Sequence, residues 1–412
     1  MKKQGKRTLM PKLRFPEFRD APGWEEKEVG EVFNVTRGEV LAMPLVKDEQ
    51  SEQAPYPVYS SQTKNEGLAG YYSEYLYADA ITWTTDGANA GNVNYRPGKF
   101  FCTNVCGVLI SNEGFANACT AAMINSVARQ HVSYVGNPKL MNGVIAKIRV
   151  AFPSLPEQLR IADCLSSLDT LIVAEGRKLE ALRDHKRGLM QQLFPREGET
   201  VPRLRFPEFR DKGEWEEHLI EEFFDVGSSK RVLQQDWKME GVPFYRTREL
   251  VSLTKNEPFS SEVFISEELF SELSEKYGVP GGGDFLVSGV GTLGIAYQVR
   301  AEDRFYFKDG NVLWLKLTGN LISDFFKYCF QSDFIQNQIS GQASASTVGT
   351  YTIQNAKKTR ILCPVEVTEQ QRIADCLSSL DDLIRAQAKK LDALKTHKRG
   401  LMQQLFPAPE EQ

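Results

Sequence analysis

Apolar residues return every three or four positions through two stretches of the chain. In the first, Ile161, Leu165, Leu168, Ile172, Glu175, Leu179, Leu182, Lys186, Leu189 and Leu193 are spaced 4, 3, 4, 3 throughout. The second repeats the spacing with Ile373, Leu377, Leu380, Ile384, Gln387, Leu391, Leu394, Lys398, Leu401 and Leu405. A strict 3.5-residue period is the seam of a left-handed coiled coil, so both stretches are predicted to be long helices. Ser154 and Glu157 stand at capping-box spacing with Pro156 between them, which suits a helix start. Pro195 and Pro407 end the two stretches, because proline disfavours α geometry in the residue before it. Gly188 and Gly400 fall in the last turns and weaken each by about 1 kcal/mol. From Glu157 to Phe194 the rise is roughly 57 Å at about 1.5 Å per residue.

The two stretches are copies. Residues 157–195 (EQLRIADCLSSLDTLIVAEGRKLEALRDHKRGLMQQLFP) and 369–407 (EQQRIADCLSSLDDLIRAQAKKLDALKTHKRGLMQQLFP) agree at 30 of 39 positions with an offset of 212. A shorter repeat leads each half: PKLRFPEFRD at 11–20 and PRLRFPEFRD at 202–211 agree at 9 of 10 positions with an offset of 191. The segments between differ in length and show little resemblance, so a common frame is written twice around two different inserts. The economical partner for each helix is the other copy. Antiparallel packing about a twofold axis would carry the inserts at opposite ends, and Glu175 near the centre would approach Gln387 and favour one register. The competing expectation is that each helix packs on its own insert.

Inside the inserts the pattern changes to short β-like runs broken by Gly, Pro, Asn and Ser. The first holds AITWTT (Ala80–Thr85), the turn DGANAG and then Asn92–Tyr95; the second holds DFLVS (Asp284–Ser288), the turn GVGTLG and then Ile295–Val299. Strand, glycine-rich turn, strand predicts an α+β chain: two mixed α/β domains joined by two long helices packed as an antiparallel coiled coil, pseudo-twofold symmetric. Gly289, Gly291 and Gly294 spell GxGxxG, but strand-like alternation follows, so a hairpin turn is expected in place of a dinucleotide site.

The chain has 412 residues, 41% hydrophobic and 25% charged, with a net charge of −4. No apolar run of about 18 residues suggests a membrane span. The start, MKKQGKRTLMPKLRF, lacks the apolar centre of a secretion signal. Seven scattered cysteines suit a reducing cytoplasm. Cys102, Cys106 and Cys119 form no CxxC pair, His131, His185, His218 and His397 form no cluster, and no GxxxxGK(S/T) loop is present, so neither metal nor nucleotide chemistry is expected.

Polar loops carry the candidate chemistry. Thr36, Arg37, Ser61, Gln62, Lys64, Asn65, Thr85 and Asn89 belong to the first insert. Ser229, Lys230, Arg231, Arg246, Arg248, Ser288, Thr292, Gln342, Ser344 and Ser346 belong to the second. Such side chains contact phosphates and base edges; each could equally be a solvated turn.

The tokens EQ-x-RIADCLSSLD, K-x-L-x-ALR/K and HKRGLMQQLFP, each present twice behind LRFPEFRD, resemble the specificity subunit of type I restriction–modification systems over nearly the whole chain. The resemblance implies two target-recognition domains, at 11–156 and 202–368, each reading half of a bipartite, asymmetric DNA site. It implies that conserved spacer helices at 157–195 and 369–407 fix the gap. The implied partners are double-stranded DNA, two modification (methyltransferase) subunits that carry S-adenosylmethionine, and restriction (translocase/endonuclease) subunits that use ATP and Mg. No cofactor is then expected on this chain, which would be non-catalytic and cytoplasmic.

Two rival readings stand beside this one: a stand-alone DNA methyltransferase, for which no (N/D)PP(Y/F) segment is found, and a coiled-coil adaptor whose inserts bind protein. The inserts are acidic: Trp24–Pro156 holds 10 Lys+Arg against 13 Asp+Glu, and Trp215–Thr368 holds 15 against 21. Phosphate attraction supports much DNA affinity, so the isolated chain is expected to bind DNA weakly. LRFPEFRD is read either as a partner contact or as a packing element tying each insert to the frame.

Overall fold

A computed structural model describes residues 8–61, 65–255, 257–344 and 349–407. The chain divides into two compact units, 1–177 with 389–412 and 178–388. The boundaries fall inside two 39-residue helices, Leu155–Leu193 and Val367–Leu405, so each unit holds part of both. Each helix ends two residues before its proline, at the leucine that precedes Phe194 or Phe406.

The first unit contains β1 (Thr8–Leu9), β2 (Trp24–Glu28), β3 (Asn34–Arg37), β4 (Tyr56–Tyr59), β5 (Leu68–Tyr72), β6 (Tyr77–Thr84), β7 (Val93–Cys102), β8 (Cys106–Ile110) and β9 (Arg149–Phe152). They form a small sheet β1-β2-β9 and a larger one, β3-β8-β6-β7-β4-β5, in which only β4 and β7 run parallel. The AITWTT run lies at its centre: Ala80, Ile81, Thr82 and Trp83 are all buried in β6, as expected of a strand covered on both faces. Helix Ala118–Ala128 covers one side, its Asn117 cap accepting the Thr120 amide.

The second unit contains β10 (Glu216–Leu219), β11 (Phe224–Gly227), β12 (Val242–Tyr245), β13 (Phe264–Ile265), β14 (Phe285–Ser288), β15 (Ala296–Gln298), β16 (Tyr306–Phe307), β17 (Val312–Leu317) and β18 (Arg360–Cys363). Its sheets are β10-β18, β11-β17-β14-β15 and β13-β12-β16. The inserts share little sequence but one topology. The order β3-β8-β6-β7 reappears as β11-β17-β14-β15, and the parallel pair β4–β7 reappears as β12–β16. The long β7 corresponds to two strands, β15 and β16, separated by residues 299–305. The GxGxxG segment is the β14–β15 hairpin turn, with Gly291 and Gly294 at φ 83° and 68°.

Every seam residue is buried or half-buried: Ile161, Leu165, Leu168, Ile172, Leu179 and Leu182 on the first helix, Ile373, Leu377, Leu380, Ile384, Leu391 and Leu394 on the second. In the first unit Asp169 pairs with Lys398 and Glu175 with Lys390, so one residue number falls as the other rises and the segments run antiparallel. Glu175, near the middle of its helix, takes the Lys390 ammonium. The second unit repeats the first of these pairs at the offset of 212, as Lys186–Asp381 at 2.6 Å.

The two short repeats explain how an insert is fixed to a helix. Arg14 grips the Glu157 carboxylate with two hydrogen bonds of 2.7 Å and donates to the Ala21 and Pro22 carbonyls. Arg205 grips Glu369 at 2.8 and 2.7 Å and donates to the Lys212 and Gly213 carbonyls. Both glutamates are 1% exposed. The next residue completes the joint: Gln158 accepts from Asn117 and Thr120 and donates to the Pro153 carbonyl, while Gln370 accepts the Ile322 amide and donates to the Pro364 carbonyl. The Leu13 amide bonds the Gln404 carbonyl at the end of the second long helix, and the Leu204 amide bonds the Gln192 carbonyl at the end of the first. In both units LRFPEFRD therefore follows a helix end, although only in the second does the chain connect them directly. Of the two expectations for this segment, the contacts support the packing element.

Removing one partner of a buried, hydrogen-bonded ion pair leaves an unpaired charge and costs about 3–5 kcal/mol. Arg205→Ala is expected to lower the stability of the second unit by that amount, read as a fall in the denaturation midpoint. Arg210→Ala, on an exposed side chain of the same segment, should change it by less than about 0.5 kcal/mol. Equal effects from the two would rule out a special role for the joint.

Candidate functional site

Several of the predicted polar loops gather around one short inter-strand turn in each unit. In the first it is the turn between β7 and β8, residues 103–105. The Thr103 amide bonds the Tyr59 carbonyl, and its hydroxyl bonds Ser60 at 2.9 Å. Arg37 donates to the Asn104 carbonyl at 3.1 Å. The Thr85 amide and hydroxyl both bond the Val105 carbonyl. Loops after β3, β4 and β6 are thereby tied to one short segment.

The second unit does the same with residues 308–311, the turn between β16 and β17. The Ser228 hydroxyl bonds the Val312 carbonyl at 2.8 Å, and Ser229 bonds the Phe307 carbonyl at 2.6 Å. The Lys308 amide bonds the Tyr245 carbonyl, and the Gly289 amide bonds the Asn311 carbonyl. These turns were not singled out from the sequence. The signal that could have marked them is the TNV and KDGN segments ahead of apolar strands.

The gathered residues play different parts. Arg37, Lys230, Arg231, Arg248 and Thr292 are exposed, and Thr36, Ser61, Asn89, Ser229 and Arg246 are half-buried. Asn65 is exposed at φ 50° in a tight turn. Ser288 and Thr85 are buried and correct the expectation that they face a ligand. Ser288 Oγ donates to the Thr292 carbonyl and accepts the Ile295 amide, pinning the β14–β15 turn. Thr85 Oγ1 serves Asp86 and Val105. Gln342 and Ser344, expected in a loop, lie in the last turn of helix Asp333–Ser344. Gln62, Lys64 and Ser346 lie outside the described residues.

Three arginines are held by neighbouring groups. Arg96 crosses the Tyr59 ring at 3.7 Å, donating to Thr82 Oγ1 and to the Glu66 carbonyl, and burial lowers its pKa. Arg246 chelates the Glu249 carboxylate at 2.9 and 2.6 Å, and Arg248 Nε donates to the same group at 2.8 Å. Burial pushes the Glu249 pKa up, but the hydrogen bonds from Arg246 and Arg248 outweigh it and hold the carboxylate below its ordinary value. Among the described residues no group of three or more His, Cys, Asp or Glu could hold a metal ion, and no helix is long and apolar enough to cross a membrane. Burial raises the Cys102, Cys119 and Cys329 thiols far above their ordinary value and Cys106 to about 11, so these thiols are poor nucleophiles.

The family described as "Type I restriction modification DNA specificity domain" matches residues 22–183 and 212–396. A putative type I specificity subunit N-terminus from Mycoplasma pneumoniae is 37% identical over 34% of this chain and 75% of its own length. A second putative subunit from that organism is 34% identical over 36% of this chain and 49% of its own; the chain thus spans about half the length of that relative. A putative type I restriction enzyme specificity subunit from Haemophilus influenzae is 24% identical over 87% of this chain and 88% of its own. The crystal structure of a type I restriction-modification system S subunit from M. genitalium superposes with a TM-score of 0.64 and 15% identity, covering 97% of this chain and all of that one.

A Cβ on Gly38 would stand 2.2 Å from the Cys102 carbonyl oxygen and 2.4 Å from that of Thr103. Gly38→Ala is therefore expected to displace the 103–105 turn and to destabilise the first unit by about 1–3 kcal/mol. Hydrogen exchange should show lost protection at the Thr103 and Cys106 amides. Gly143→Ala, with nothing within 4 Å, is the control; matched protection in both variants would contradict the role given to the turn.

Proposed function

Because the chain belongs to the type I restriction modification DNA specificity family, we propose that it reads a bipartite, asymmetric DNA sequence, one half through each loop cluster. The observation that supports this most directly is that two units of one topology gather chemically different polar loops around equivalent turns. A shared frame with unlike tips suits two targets of unlike sequence, and loops on a rigid sheet are where binding residues concentrate. The 103–105 cluster offers Arg37 and amides; the 308–311 cluster offers Arg248, Lys230 and Arg231.

The proposal extends to the assembly. The chain recruits modification (methyltransferase) subunits, two of them, and restriction (translocase/endonuclease) subunits, and itself catalyses nothing. S-adenosylmethionine, ATP and Mg act in those partners, in the cytoplasm. The long helices set the gap between half-sites. Their outer faces, where Leu159, Leu171 and Leu383 are exposed, are the surfaces for the modification subunits. The acidic balance of both inserts agrees with weak DNA binding by the chain alone, the partners supplying most of the phosphate contacts.

Methyladenine mapping tests the reading. The chain co-expressed with its modification subunit is expected to give a two-part methylated motif, absent when the chain is omitted. A stable complex that methylates no such motif would favour the adaptor reading. Methylation by the chain alone would favour the stand-alone enzyme.

A further inference from the structure

Glu249 is 2% exposed, yet it lies one residue from an arginine that is half in solvent. The carboxylate caps helix Thr247–Lys255 by accepting the Arg246 amide at 2.9 Å. It also takes two hydrogen bonds from the Arg246 guanidinium and one from Arg248 Nε. The two arginines differ in exposure. The Arg246 side chain is 15% exposed and lies 5.5 Å from the centre of the Trp237 ring, so it is part of the brace. The Arg248 side chain is 51% exposed, and its NH2 group donates to Ser261 Oγ. Two of its five N–H groups are thus committed, and the remaining three have no acceptor among the described residues.

A guanidinium held at two corners has a fixed plane and a free edge. That suits a ligand with two acceptors side by side in one plane. A phosphate can also take the fork, but here one of the two guanidinium charges is offset by the shared carboxylate, and the fixed plane favours a planar pair of acceptors. Guanine offers N7 and O6 on its major-groove edge, and a bidentate arginine there is the commonest specific contact to DNA. The neighbourhood agrees with a reading position: Thr247 reaches the Asn311 carbonyl in the turn on which the other loops converge.

We infer that Arg248 reads a guanine in the half-site recognised by the second unit, and that Glu249 is the positioning residue that fixes its plane. This rests on the DNA-specificity reading above and adds the base and the residue. Glu249 acts through Arg248, so losing it should alter base preference at the same position without touching DNA.

The test uses the full chain with its modification subunit and reads methyladenine across a genome, position by position. If the parent chain yields no two-part motif, the DNA-specificity reading fails before Arg248 is at issue, and the inference falls with it. Given the motif, Arg248→Ala is expected to cut the preference for guanine at one position by roughly tenfold or more. The other half-site should be unchanged. Arg248→Lys should not restore the preference, because a point charge lacks the fork, and Glu249→Gln should relax the same position. A uniform loss of methylation with the motif intact would mark a phosphate contact and overturn the assignment. Relaxation in the other half-site, or full rescue by lysine, would overturn it as well.

Discussion

The buried grip of Arg14 on Glu157, and of Arg205 on Glu369, is the constraint from which the rest of each unit is arranged. A charge pair that deep is rarely a large net source of stability, because desolvation offsets much of the attraction. What it supplies is uniqueness. The carboxylate on the first turn of the long helix accepts one guanidinium geometry, and that guanidinium is held in turn by two backbone carbonyls of its own segment. Helix, leading segment and insert are locked in one arrangement. Cation–π contacts of Arg160 over Phe15 and Arg372 over Phe206 close the outer side identically in both units.

Around that joint the apolar residues do the bulk of the work. In the first unit Ile161, Leu165, Leu405 and Phe406 share a core with Trp24 and the small sheet; in the second Ile373, Leu377, Leu193 and Phe194 share one with Trp215. Burial of this kind is non-directional, and a leucine seam alone would tolerate sliding. The Asp169–Lys398 and Asp381–Lys186 pairs fix the register. The polar loops are free to differ because none of these contacts involves them.

The heptads and both repeats make the helices, their antiparallel course and the duplication of the frame legible in the sequence. The role of Arg14 and Glu157 was not, although both lie in repeated segments, because nothing in a single sequence says that residues 143 apart meet. The common topology of the inserts was hidden for a different reason. Strand order is set by pairing and burial pattern, which many sequences satisfy, so β3-β8-β6-β7 and β11-β17-β14-β15 share little at the residue level. In the site, polarity marked the exposed Arg37 and Arg248 but could not separate them from the buried Ser288 and Thr85. Those two satisfy backbone groups inside tight turns, a role with the same residue preferences as ligand contact.

The account holds that the frame is interchangeable and that recognition resides wholly in the inserts. The most direct measurement exchanges the two inserts, moving 23–153 and 214–364 into one another's place while leaving both long helices and both LRFPEFRD segments unchanged. Each new junction then presents the same arginine, glutamate and glutamine. The account predicts a folded chain whose methylome, with the modification subunit present, contains the same two half-site sequences as the parent. A chain that folds and methylates but reads different half-sites would contradict it.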